Sequence, residues 1–248
     1  MIFSSNIYSE TLKVGVQGKY KPYYIDMNHG LELDIVNEVF KRIGIKADYY
    51  KFPFERLKSA VSKHNMDASL IAYDENNDNY YYSDDYISFS NTIVCNQSKN
   101  IKIKNLKSLA GKKVGSWRSA NLVLGKDFHD NFKPGKNNYI EISDLDPLLR
   151  MFWLKRLDCI VVDLFVFKWF KEYKLQEANI KEFPVDYHHL LTRRTYFKVK
   201  FKNKEIRDRF NIALKKLKDN GFIKGVYKKY IPHATEDDLK WSLDKNQH

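Results

Sequence analysis

Two passes through one order of elements, the first ending near Ala72 and the second at Asp163, constrain the fold of this chain more than any other feature. The first begins with LKVGVQ, whose alternation suits a strand. The segment from Gly30, GLELDIVNEVFKRIG, then carries Leu31, Ile35, Val39 and Ile43 at helical spacing and closes at Gly44. KADYYKF reads as a strand, FERLKSAVSKH as a helix and DASLIA as a strand. ISFSNTIVCNQ follows as one apolar strand, and the order restarts with KKVGSW (strand), ANLVLGKDFHDN (helix), NYIEIS (strand), DLDPLLRMFWLKR (helix) and DCIVVD (strand). A βαβαβ order demands helical crossovers and a mostly parallel sheet. HHLLTR is a further strand candidate, NKEIRDRFNIALKKLKDNG an amphipathic helix ended by Gly221, and FIKGVYKKYI a last helix.

A length of 248 residues fits one large α/β unit or two lobes, and the restarted order favours two, facing each other across a crevice. In open parallel sheets ligands sit beyond the carboxyl ends of the strands. The crevice is therefore expected to be lined by GKYKPYY, YDENN, RSAN and Asp163, which follow or end LKVGVQ, DASLIA, KKVGSW and DCIVVD.

Composition removes several function classes. With 43% hydrophobic and 15% aromatic residues the chain can fill a sizeable core, and 30% charged residues give a well-solvated surface. The net charge of +12 raises nucleic acid as a partner, but the lysines of KVKFKNKEIRDRF and ALKKLKDNGFIKGVYKKYI are interleaved with acids and apolar residues, and no nucleic-acid-binding motif occurs. No apolar run approaches the roughly 18 residues of a membrane span, and MIFSSNIYSETLK lacks a basic n-region before a long apolar h-region. Cys95 and Cys159 lack metal-site spacing with each other or with the seven histidines, so neither a metal nor a cofactor is expected.

Taken in order, YKPYY, GLELDIVNEVFKRIGIKADYYKFPFERL, YSDDY, LAGKKVGSWRSAN, LDCIVVD and KKLKDNGFIKGVYKKYI resemble the periplasmic solute-binding proteins of amino-acid-type ABC transporters, family 3. The resemblance spans most of residues 12 to 231 and implies an α/β, two-lobed periplasmic-binding-protein-like (type II) fold. Residues 12–89 plus 188–248 would form lobe one and 90–187 lobe two, joined by a hinge of two crossing segments. It implies a monomeric, extracytoplasmic protein whose signal peptide has been removed from this chain. Such a protein closes on a small polar solute and delivers it to a membrane permease. Two rivals stand beside it: a ligand-sensing module of a receptor, and a cyclohexadienyl-dehydratase-like enzyme, for which Glu32, Asp74 or Asp163 could serve as the acid.

The resemblance also nominates site residues. Where amino-acid binders carry Thr-x-x-Arg after the third strand, this chain reads YDENNDN, and no Arg or Lys occurs between Lys63 and Lys99. Tyr73, Asp74 and Asn76 stand near the place of the missing guanidinium, and a neutral Asn brings hydrogen bonds without charge. Trp117, Arg118 and Ser119 sit at a strand-to-helix turn, where free backbone N–H groups favour an anion; the alternative is a solvated arginine beside a capping serine. Asp163 matches the position that takes a ligand amino group, or else it caps the next helix. Tyr20, Tyr23, Tyr24 and Phe54 offer aromatic walls, with core packing as the alternative. The family's strand order places Cys95 and Cys159 on neighbouring strands, expected as two buried thiols, with a disulfide as the alternative. The expected ligand is a small polar solute, amino-acid-like or amine-containing.

Overall fold

The computed structural model describes residues 10–18, 20–72, 79–136, 138–191 and 194–243. In chain order its first elements are β1 (Glu10–Gln17), α1 (Leu31–Arg42), β2 (Ile45–Phe52), α2 (Phe54–Leu57), α3 (Ala60–Lys63), β3 (Ala68–Ala72), β4 (Tyr81–Tyr82) and β5 (Ile87–Phe89). Next come β6 (Asn91–Asn96), β7 (Val114–Trp117), α4 (Ala120–Val123), α5 (Lys126–Asn131), β8 (Tyr139–Ile142), α6 (Leu145–Trp153), β9 (Cys159–Asp163), α7 (Leu164–Lys174) and β10 (Val185–His188). The chain ends in β11 (Thr195–Phe201), α8 (Lys204–Asp219), α9 (Phe222–Tyr230) and α10 (Glu236–Leu243). Its described residues divide into two compact units, 10–88 with 196–239 and 89–195 with 240–243. The second boundary lies after 195 rather than after 187, because β10 pairs with β6 of unit two and β11 is the strand that joins the sheet of unit one. The last division, after 239, falls inside α10 instead of leaving the whole C-terminal segment with unit one.

In unit one the sheet order is β2-β1-β3-β11-β4, with β5 also paired to β11. β1 runs parallel to β2 and β3, and β11 is antiparallel to β3 and β4. α1 covers one face because Leu31, Leu33, Ile35, Val36, Val39 and Phe40 are buried. Against it α8 lays Ile206, Phe210, Ala213, Leu214 and Leu217, with the Phe40 and Phe210 rings 5.6 Å apart and tilted edge to face. The entry to α1 requires glycine. Gly30 has φ 150°, and a Cβ there would come within 2.3 Å of the Tyr23 carbonyl oxygen.

In unit two the order is β10-β6-β9-β7-β8, with β7 parallel to β8 and β9, and β6 antiparallel to β9 and β10. Ile93, Val114, Phe128, Tyr139 and Val161 are at the heart of its hydrophobic cluster. Cys95 and Cys159 face each other across β6 and β9 with Cα atoms 4.1 Å apart and are bonded, so the expectation of two thiols is corrected. Directly opposed residues of antiparallel strands come close enough for that bridge.

Several boundaries differ from the sequence reading. Of HHLLTR, His188 ends β10, the described residues after it form no strand, and the next strand, β11, begins at Thr195 in the other sheet. The stretch 54–64 is broken between α2 and α3, and 120–131 between α4 and α5, where Gly125 has φ 93°. ISFSNTIVCNQ splits at Ser90, whose N–H donates to Asp163 Oδ2 (2.7 Å) and whose carbonyl accepts from Leu164 N–H (3.0 Å).

Candidate functional site

The carboxyl ends of the parallel strands hold the unusual groups in each unit. In unit one, β3 ends at Ile71 and Ala72, and Ile71 is buried with φ 54°, a left-handed conformation that a β-branched residue rarely adopts. Its N–H donates to the Tyr86 hydroxyl (3.2 Å), and that hydroxyl donates to Glu32 Oε1 on α1. Burial pushes the Glu32 carboxyl up to about 8, against the smaller opposing effect of the Tyr86 hydrogen bond. A neutral carboxyl, a tyrosine and a strained strand end thus form one connected group at the carboxyl end of β3. Strained backbone of this kind concentrates at ligand clamps.

In unit two the β7–α4 turn is organised by a residue that the sequence reading did not single out. Ser119 has φ 68°. Its N–H donates to Glu141 Oε2 (2.8 Å), and Asn121 N–H donates to Glu141 Oε1 (2.9 Å). Tyr139 Oη, on the same face of β8, also donates to Oε1 (2.9 Å) and lies 2.5 Å from Ser116 Oγ. Burial raises the Tyr139 pKa, which keeps this hydroxyl a proton donor. Of the free N–H groups expected at this turn, those of Ser119 and Asn121 are therefore already bonded. The signal was available in NYIEIS: Tyr139 and Glu141 are two residues apart, so they share a face at the carboxyl end of a parallel strand.

The nominated residues fall as follows. Tyr23 is fully buried, and Tyr24 is 2% exposed with its hydroxyl on Met27 Sδ (2.8 Å). Tyr20 is half-buried, with its ring 5.7 Å from that of Tyr23. Phe54 begins α2, with its side chain outside the described structure; Tyr73, Asp74 and Asn76 are outside the described residues. Trp117 is half-buried against the unit-two cluster, and its buried Nε1 has no acceptor among the described residues. Arg118 is exposed, and its N–H donates to the Ile142 carbonyl (3.1 Å).

Asp163 is fully buried. Its Oδ1 accepts from Phe165 and Val166 N–H (3.0 Å each) and its Oδ2 from Ser90 N–H (2.7 Å), which makes it the N-cap of α7. The capping alternative accounts for the two bonds from α7, and the Ser90 bond ties the end of β9 to the start of β6. Asp163→Ala is expected to lower stability by about 2 kcal/mol through the lost cap and the unsatisfied N–H groups. Urea unfolding checks it, and an unchanged midpoint would contradict the cap.

A groove of about 680 Å³ on unit one is lined by α1, α9 and the Ile45–Ala47 start of β2. It lies toward the amino end of that strand, where α/β ligand sites do not form. Among the described residues no group of three or more His, Cys, Asp or Glu could hold a metal ion, and no helix is long and apolar enough to cross a membrane.

The sequence model of the bacterial extracellular solute-binding proteins, family 3, matches residues 12–233. The L-cystine-binding protein TcyA of Bacillus subtilis (strain 168) is 24% identical over 229 residues, which is 89% of this chain and 81% of that protein. The GluR0 ligand-binding core, solved with L-glutamate, superposes with a TM-score of 0.71 at 14% identity, covering 89% of this chain and 98% of that one. The arginine-, lysine-, histidine-binding protein ArtJ of Geobacillus stearothermophilus superposes with a TM-score of 0.65 at 20% identity, covering 92% and 98%. At these identities the structures carry the fold alone, a two-lobed α/β periplasmic-binding-protein type II fold.

Proposed function

Because this chain belongs to the bacterial extracellular solute-binding proteins, family 3, we propose that it captures an amino acid or amine-containing solute outside the cytoplasmic membrane and delivers it to the permease of an ABC uptake transporter. It is a solute-binding protein and not an enzyme. The observation that carries the reading is the family match across residues 12–233. The amino-acid ligands in the names of its relatives support the solute class. The disulfide supports the compartment, since such bonds persist in oxidising surroundings.

The site chemistry narrows the ligand. No Arg or Lys occurs between Lys63 and Lys99, so the acidic segment after β3 supplies no cation for a carboxylate. Exposed Arg118 can supply one, and the neighbouring Trp117 carries an Nε1 donor without an acceptor among the described residues. An aromatic face adds about 0.5 to 2 kcal/mol for a cationic group.

Thermal-shift screening tests the proposal with cystine, histidine, arginine, glutamate, polyamines, sugars and dicarboxylates. An amine-bearing amino acid is expected to stabilise the protein by about 2.7 kcal/mol at a hundredfold excess over its Kd. Shifts from sugars or dicarboxylates alone would overturn the solute class.

A further inference from the structure

We infer that the amino-end face of unit two, built around the lysines that lead into β7, is a docking surface for an anionic phospholipid membrane. The adsorption stands on charge alone, and its use, holding the protein beside a membrane permease, rests on the reading above.

From Tyr86 to Lys126 the sequence has seven Lys, one Arg and no Asp or Glu, whereas the whole chain has 43 Lys and Arg to 31 Asp and Glu. Six of those lysines, Lys99, Lys102, Lys104, Lys107, Lys112 and Lys113, fall between the end of β6 and the start of β7. The segment is pinned to unit two by buried Ile101, Leu106 and Leu109. The residues between these anchors face outward, so Lys102, Lys104 and Lys107 are exposed, as are Lys99 and Lys113.

Topology collects these charges at one edge of the sheet. β7 is parallel to β8 and β9, which sets their amino ends together, and antiparallel β6 delivers its carboxyl end, followed by Lys99, to the same edge. Lys99 Nζ reaches Asp158 Oδ1 (3.1 Å) just before β9, and the Lys113 N–H donates to Asp158 Oδ2 (2.9 Å). Asn138 Nδ2, just before β8, donates to the Gly111 carbonyl (3.4 Å), and exposed Lys136 lies two residues earlier. The acids nearby are engaged: Asp158 as described, Asp186 by Gln97 Nε2 (3.2 Å), and Asp130 of α5 by Lys126 Nζ (2.5 Å). The face keeps a positive field.

The residue type selects the partner. Protein–protein interfaces are depleted in Lys and built on Arg and aromatic anchors, whereas a layer of lipid phosphates needs only mobile, hydrated point charges, which lysines supply. Every exposed cation of this face named above is a lysine, and a protein of an extracellular family meets such a phosphate layer at the outer membrane surface. Within unit two the face is the end opposite the β7–α4 turn, so adsorption leaves the carboxyl ends of its parallel strands uncovered.

Sedimentation of the full chain with sucrose-loaded vesicles tests this. Vesicles of equal parts phosphatidylglycerol and phosphatidylcholine are expected to carry the protein down at low salt, and pure phosphatidylcholine vesicles to leave it in solution. Binding should vanish at about 1 M salt, where the Debye length is about 3 Å. Each lysine near an anionic surface multiplies partitioning about fivefold, so Lys102→Gln, Lys104→Gln, Lys107→Gln and Lys113→Gln combined should weaken it about 100-fold or more. Replacing exposed Lys46, Lys63, Lys215 and Lys216 of unit one by Gln removes the same charge elsewhere and should weaken it less than about fivefold. Equal weakening by the two variants would make net charge responsible and overturn the assignment to this face. Equal binding to both kinds of vesicle, or binding to neither, would overturn the inference outright. Retention on polyglutamate beads without vesicle binding would replace the membrane by an acidic protein partner. Failure in any of these arms leaves the solute reading standing, since none of them contains a solute.

Discussion

Reducing the Cys95–Cys159 bond is expected to lower the stability of the protein by about 4 kcal/mol. The bond spans a sequence separation of 64 residues, and the chain-entropy model gives about that value for a loop of this size. The two residues are 1% and 0% exposed inside the unit-two cluster, so the reduced thiols remain buried among the same apolar neighbours. The loss therefore falls on the unfolded chain, which gains freedom, and the fold survives reduction. Urea titrations of protein unfolded and refolded with or without a phosphine reductant measure the effect. The midpoint should fall and the slope should rise, because an unlinked unfolded chain exposes more surface. A Cys95→Ala, Cys159→Ala variant should match the reduced protein and ignore the reductant. Coincident curves for oxidised and reduced wild type would show that the bond contributes nothing.

The parts of the fold that were legible in the sequence are those set by local periodicity. Leu31, Ile35 and Val39 face the core of unit one as their spacing requires, and the alternation of LKVGVQ and the apolar run DCIVVD form strands. The interruptions were hidden because each depends on a distant partner. Ser90 breaks an apolar run because its backbone groups bond to Asp163 and Leu164, more than 70 residues away. HHLLTR has strand-like residues, yet among the described ones His188 alone joins a ladder, as the last pair between β10 and β6. At the site, Asp163 and Arg118 could each be read two ways, because the choice turns on tertiary contacts such as the Ser90 N–H that Asp163 Oδ2 accepts. Glu141 went unnoticed for the same reason, as its contacts with Ser119 and Asn121 cross about 20 residues.

Glu32 is expected to make the protein lose stability as pH rises through the neutral range. It is 2% exposed at the second position of α1, and its carboxyl accepts from the Tyr86 hydroxyl. Desolvation pushes its pKa from an ordinary 4.5 up to about 8. Below 4.5 both folded and unfolded chains hold the proton, and the group is neutral to stability. Between 4.5 and 8 the folded chain binds a proton that the unfolded chain has released, so stability falls with each pH unit. Above 8 both forms are ionised, and the full penalty, on the order of 4 to 5 kcal/mol, is in place. Glu32→Gln keeps the length and an acceptor for Tyr86 but cannot ionise. Its stability is expected to lie within about 1 kcal/mol of wild type near pH 4. By pH 9 it should exceed wild type by several kcal/mol, as measured by urea unfolding across that range. The consequence reaches the β3 end, because the Tyr86 hydroxyl that meets Glu32 also takes the Ile71 N–H beside the 73–78 segment. Ionisation of Glu32 draws the Tyr86 proton more strongly and makes its oxygen a better acceptor for that N–H. The Ile71 amide proton should therefore move downfield in wild type between pH 7 and 9 and stay fixed in Glu32→Gln. Parallel stability curves for the two proteins would show that Glu32 is ionised in the fold throughout, and would remove the neutral carboxyl from this strand end.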